Sequence, residues 1–126
     1  MKTEYDITTK DKEMSYTAFI LASLIKLGLS PSNKGTYYLR DLILLALQNN
    51  VSDDIHLKEL REKLAKLKGI SAKTIKSNID YAFQYKNTEK AEKNFETLLG
   101  IEYDSYFITV KTVMALILNA ITMTQK

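Results

Sequence analysis

Apolar side chains recur at three- and four-residue spacing in six stretches of the chain, separated by polar or glycine-containing breaks. That period is the period of an α-helix, not of a strand. The first stretch predicts a helix over residues 15–27, with Phe19, Ile20, Leu24 and Leu27 on its apolar side, Ser15 as N-cap and Gly28 closing it. Residues 29–33 hold the single Pro and read as a turn. A second helix is expected over 34–48, where Leu39, Leu42, Ile43, Ala46 and Leu47 form a stripe. Leu44 and Leu45 widen that stripe past one face, the mark of a central, nearly surrounded helix. After a polar turn at 49–54, a third helix over 56–68 carries Leu57, Leu60, Leu64 and Leu67 on one side, with Asp53 or Asp54 as cap and Gly69 as stop.

A fourth helix is expected from Ser71, its N-cap, to about Lys86, burying Ile75, Ile79, Ala82 and Phe83. A fifth starts at Thr88 and ends at Gly100, with Ala91, Phe95, Leu98 and Leu99 inward. Residues 101–108 read as extended or loop. A sixth helix over 110–124, capped by Thr109, has Val113, Met114, Leu116, Ile117, Leu118, Ala120 and Ile121 over more than half of its circumference. Such a helix is either central or buries one face against another subunit. Residues 1–13 are mostly polar and charged and are expected to form a flexible arm, leaving 14–126 as the helical domain.

Composition narrows the function classes. With 126 residues the chain has one core, and with Gly 4 and Pro 1 it is too poor in turn formers for a many-stranded fold. The expected fold is therefore all-α, a six-helix bundle. Cys 0 and His 1 leave no disulfide framework, no thiolate or His-pair metal site and no good basis for a Ser–His triad. His56, beside Asp53 and Asp54, reads as a capping or surface histidine, and the two aspartates as a turn and cap. A glycine-rich phosphate loop is missing as well. The expectation is a protein that is not an enzyme and takes no cofactor. No run of apolar residues is long enough to span a bilayer, and the polar start does not resemble a secretory signal, so a cytoplasmic protein is expected. Tyr37, Tyr38, Tyr103 and Tyr106 could stack on bases but fit a small helical core better.

One constellation points to a function. A helix-turn-helix that binds DNA needs a small residue where its two helices cross, a Gly four residues on for the turn, an apolar plug after it, and apolar anchors in the second helix. Ala65, Gly69, Ile70, Ile75 and Ile79 meet those demands in register. The apolar position just before Gly69 holds Lys68, with Leu67 beside it as a stand-in. By spacing alone, a plain helical hairpin remains open. Charge adds to the DNA reading: between Leu57 and Lys86 eight bases face three acids, an excess of five against +3 for the whole chain. The Glu59–Lys63 and Glu62–Lys66 spacings also fit a solvated face of i,i+4 pairs. On the fourth helix, Lys73, Ser77, Asp80, Tyr81 and Gln84 lie opposite the apolar stripe, flanked by Thr74 and Lys76. Lys68, Ser71, Lys73, Thr74, Lys76, Ser77, Asp80 and Tyr81 are thus the candidate DNA-binding residues: lysines for phosphates or guanine acceptors, hydroxyls for either.

With that motif placed, residues 17–122 resemble the C-terminal DNA-binding effector domain of the stage zero sporulation protein A family. Lys34–Gly35, then Tyr38–Leu39–Arg40, Asp41 and Ile43, match the family's K-G-Y-x-Y-L-R-E-x-I block, with Thr36 in place of an aromatic residue. Ile79, Ala82 and Phe83 resemble its I-x-x-A-I, and Leu99–Gly100 and a last apolar helix follow in order. The resemblance implies a six-helix bundle that binds double-stranded DNA. The family's phosphoacceptor receiver domain has no counterpart here, so control by phosphorylation is not implied. The family's recognition helix, A-S-R-V-E-R-A-I-R, corresponds to Ala72–Asp80. Thr74, Ser77 and Asp80 occupy its three Arg positions and Lys76 its Glu, so its sequence specificity is not expected to carry over.

Two function classes follow. The first is a sequence-specific DNA-binding protein, either a transcriptional regulator or an accessory protein of a plasmid or phage. It is expected to act as a homodimer, because one recognition helix reads few base pairs. The second is a protein-interaction module or decoy that keeps the helical frame without DNA readout.

Overall fold

The computed structural model describes residues 8–49, 56–100 and 109–124. Among these residues the chain is all-helical, with six helices and no strand: α1 (Thr8–Lys26), α2 (Lys34–Gln48), α3 (Leu57–Lys68), α4 (Ala72–Gln84), α5 (Thr88–Leu99) and α6 (Val110–Thr124). None of them is long and apolar enough to cross a membrane.

The broad stripe of α2 has the expected consequence. Leu39, Leu42, Ile43 and Ala46 are buried, Leu44, Leu45 and Leu47 are partly buried, and the helix packs against α1, α3, α4 and α6. Its first turn is pressed against α4. A Cβ built on Gly35 would stand 1.9 Å from the backbone oxygen of Asn78, so only a residue without a side chain permits this approach. Thr36, next to it, is buried, and its hydroxyl donates to the Ser30 carbonyl at 2.7 Å, which removes the cost of burying it.

α1 and α3 differ from the sequence expectation. α1 starts at Thr8, so Ser15 lies inside a helix and does not cap one. Residues 8–14 contain no Gly or Pro, and extending an established helix costs far less than starting one. Part of the expected arm is therefore helical, while residues 1–7 lie outside the described structure. The inward face of α1 is Ile20, Ser23 and Leu24, with Leu27 buried just past its end, and Phe19 is turned outward. Ser23 can take the inner place because its hydroxyl donates to the Phe19 carbonyl at 2.8 Å. On α3, Leu60, Leu64 and Ala65 are buried but Leu67 is 73% exposed, so Leu67 is not a stand-in for the apolar position before Gly69. Leu67 lies on the last turn of α3, at the edge of the stripe that Leu60 and Leu64 begin and about 200° from Ala65.

α3 has His56, not Asp53 or Asp54, at its N-cap position, with no side-chain bond capping the helix, because the helix starts at Leu57, beyond the reach expected of either aspartate. Thr109 accepts from the Thr112 N–H at 3.2 Å. α5 starts at Thr88 as expected, and Asn87 is its cap, the side chain accepting from the Lys90 N–H. The Asn87 N–H also donates to the Gly28 carbonyl at 2.8 Å, and the Asn94 side chain donates to the Lys26 carbonyl at 3.0 Å. The start of α5 is thereby tied to the end of α1. Asp53, Asp54, Tyr103 and Tyr106 lie outside the described residues.

Candidate nucleic-acid interface

α3 and α4 are joined by Gly69, Ile70 and Ser71. Gly69 sits at φ 68°, left-handed backbone in which a Cβ is strained. Its N–H and that of Ile70 both donate to the Ala65 carbonyl, so the turn satisfies backbone groups at the end of α3. Ser71 then caps α4: its hydroxyl accepts from the Thr74 N–H at 3.0 Å and pairs with the Thr74 hydroxyl at 2.8 Å. The Asn78 amide returns to the Thr74 carbonyl at 2.8 Å. These local bonds fix how far the first turn of α4 projects.

The two faces of α4 divide cleanly. Ile75, Ile79, Ala82 and Phe83 are buried, while Lys73, Thr74, Lys76, Ser77, Asp80, Tyr81 and Gln84 are exposed. The outward half begins with Lys73, Thr74, Lys76 and Ser77, all within two turns of the N-cap Ser71. Farther on the chemistry changes. Lys76 is paired with Asp80 at 2.7 Å across one turn, and Tyr81 and Tyr85 meet with ring centroids 4.6 Å apart. The end of α4 that carries the hydroxyls and Lys73 is therefore the basic one, and the other end is neutral and aromatic. A cleft of about 150 Å³ opens where α4 meets α2, α3 and the start of α6, between aliphatic Leu42, Leu57, Ile79 and Val110 and charged Arg61, Lys76 and Asp80.

Of the eight candidate residues, six share the exposed face of α4 and Ser71 is its cap. Lys68 stands apart, on the last turn of α3. Its ammonium group lies 2.8 Å from one Asp41 carboxylate oxygen and 5.9 Å from the centre of the Tyr38 ring. The other oxygen of Asp41 receives Nε and Nη2 of Arg40 at 3.0 and 2.9 Å. Reading one helix at a time misses this cluster, because its members come from α2 and α3. The one signal for it was the run Tyr38–Leu39–Arg40–Asp41, which places an aromatic ring, a base and an acid within four residues. Comparison with protein-family models, with curated proteins and with solved structures returns no match.

Proposed function

We propose that the protein binds double-stranded DNA, with α3, the Gly69–Ser71 turn and α4 acting as a helix-turn-helix and the first two turns of α4 entering the major groove. The observation that carries this reading is the two-faced build of α4. One face is anchored on the core through Ile75 and Ile79, and the other presents Lys73, Thr74, Lys76 and Ser77 on a helix whose start is fixed by Ser71. Major-groove readout calls for a rigidly seated helix with short polar and basic side chains near its N-terminus. The resemblance to the sporulation effector domains, which rests on the Lys34–Asp41 block, supports the same class of activity without fixing a target sequence. Within this reading the protein is a regulator of transcription or an accessory DNA-binding protein of a mobile element. It acts as a homodimer, since two recognition helices supply the discrimination that one cannot.

A salt titration of duplex binding tests the proposal. Affinity is expected to fall as salt rises, and Lys73→Ala is expected to make the log–log slope shallower by roughly 0.9, the value of one phosphate contact. Binding that ignores salt and all α4 substitutions overturns it. That outcome would favour the second reading, a protein-interaction module, which draws on the outward-facing Leu67, Tyr81 and Tyr85. Sedimentation with and without DNA tests the dimer.

A further inference from the structure

The cluster at Asp41 joins two cations from different helices on one acid. Most lysines of α3 and α4 are exposed on single helices. Arg40 and Lys68 come from different helices and converge on one carboxylate, each beside a tyrosine ring: Arg40 lies 5.3 Å from the centre of Tyr37, and Lys68 lies beside Tyr38. Tyr37 is itself held, its hydroxyl donating to the Pro31 carbonyl. The order of exposure is informative. The side chain of Asp41 is 16% exposed, that of Arg40 24% and that of Lys68 34%, so the acid is the least exposed of the three and both cations reach solvent.

We infer that Arg40 and Lys68 form a seat for one backbone phosphate of DNA, with Asp41 as the positioning residue that holds the two cations together. The inference rests on the DNA-binding reading and extends its surface from α4 onto α2. The donor count supports it. An ammonium group has three N–H donors and a guanidinium five. Asp41 takes one from Lys68 and two from Arg40, at Nε and Nη2, which leaves donors of both groups for an outside acceptor. The group carries a net charge of one positive unit, and both oxygens of its acid are already engaged. Position supports it too. Lys68 is three residues before Ser71, the cap of the helix proposed to enter the groove, and phosphates flank the groove that such a helix enters. Held side chains also lose less freedom on binding than free ones do. Arg40 thus joins the interface although it lies outside the helix pair that the sequence motif marks.

The test compares Arg40→Ala, Arg40→Lys and Lys73→Ala, with Lys93→Ala on α5 as a control, in salt titrations with a random-sequence duplex. Thermal melts establish that each variant is folded. Asp41 keeps Lys68 as partner in Arg40→Ala, so no buried charge is stranded. Arg40→Ala is expected to weaken binding several-fold and to make the salt slope shallower by roughly 0.9, because the group then carries no net charge. Arg40→Lys is expected to recover most of the slope, and Lys93→Ala to match the wild type. If Arg40→Ala binds like the wild type while Lys73→Ala binds more weakly, the seat is overturned and the α4 interface stands. If neither variant changes binding, the DNA reading fails and the seat with it.

Discussion

α4 and α6 are of similar length and both bury an aliphatic stripe, yet they use their remaining surface in opposite ways. α4 divides into a core face and a charged, hydroxyl-bearing face. α6 buries Val113, Met114, Ile117, Leu118 and Ile121, and half-buries Ala115 and Leu116 as well. Contacts with α1, α2 and α5 take up most of its apolar breadth. The width of a hydrophobic stripe therefore reports how many neighbours a helix has. It does not by itself call for a second subunit. A helix that keeps one polar face inside so small a bundle is the one free to meet something else. Substitutions on α6 should accordingly be read out in folding, and those on the outer face of α4 in binding.

The sharpest way to break that contrast is at Leu118 and Leu116, which point about 200° apart on an ideal helix. Leu118 is 1% exposed, and an unpaired carboxylate there costs roughly 3–5 kcal/mol, enough to unfold a marginal domain. Leu118→Asp is expected to lose its cooperative thermal transition. Leu116→Asp, at a half-buried position, is expected to fold with a lowered melting temperature. If Leu116→Asp folds as a monomer while the wild type sediments as a dimer, the outer side of α6 is an interface and the contrast with α4 narrows.

A smaller effect is expected at the contact that seats α4. Gly35→Ala drives a methyl group into the Asn78 carbonyl, at a cost on the order of 1–3 kcal/mol. Because the clash falls on the backbone of α4, the variant should lose duplex affinity along with melting temperature. A variant as stable as the wild type would show that α2 and α4 can separate freely. Smaller again is Ser71→Ala, which removes the acceptor of the Thr74 N–H. Loss of a cap of this kind costs about 1 kcal/mol, seen as a lower denaturant midpoint at unchanged slope.

Much of the fold was legible because it is written in local terms. Helical period, the caps Ser71 and Thr109, and the breaks at Gly28, Gly69 and Gly100 are properties of neighbouring residues, and α2 and α6 have the expected bounds. The misreadings are tertiary. Nothing local distinguishes Phe19 from Ile20, or Leu67 from Leu64; which one is buried depends on where the next helix crosses. Ser23 and Thr36 are polar by type, yet each sits inside because a carbonyl on its own stretch of chain accepts a hydrogen bond from its hydroxyl. The candidate site divides in the same way. The polar face of α4 follows from spacing, whereas the pairing of Lys68 with Asp41 requires α2 and α3 to be packed side by side.

Asp80 offers the finest test of the α4 face. It is the one acid among the outward residues of the helix, and it holds Lys76 at 2.7 Å with both side chains more than half exposed. An exposed i,i+4 pair contributes a few tenths of a kcal/mol, so Asp80→Asn should change stability by less than about 0.5 kcal/mol. Binding should respond more than folding does. The substitution removes a negative charge from the proposed interface and releases Lys76 for a phosphate. Affinity for duplex DNA of any sequence should therefore rise, and the salt slope should steepen by up to roughly 0.9. A carboxylate can also accept a hydrogen bond from a cytosine amino group, and that role gives the opposite sign. If Asp80 reads a base, Asp80→Asn weakens binding to the preferred sequence and leaves random sequence unaffected. Measuring both duplexes at two salt concentrations separates a residue that restrains the lysine beside it from one that reads the groove. An unchanged affinity on both, while Lys73→Ala weakens binding, would confine the interface to the first turn of α4.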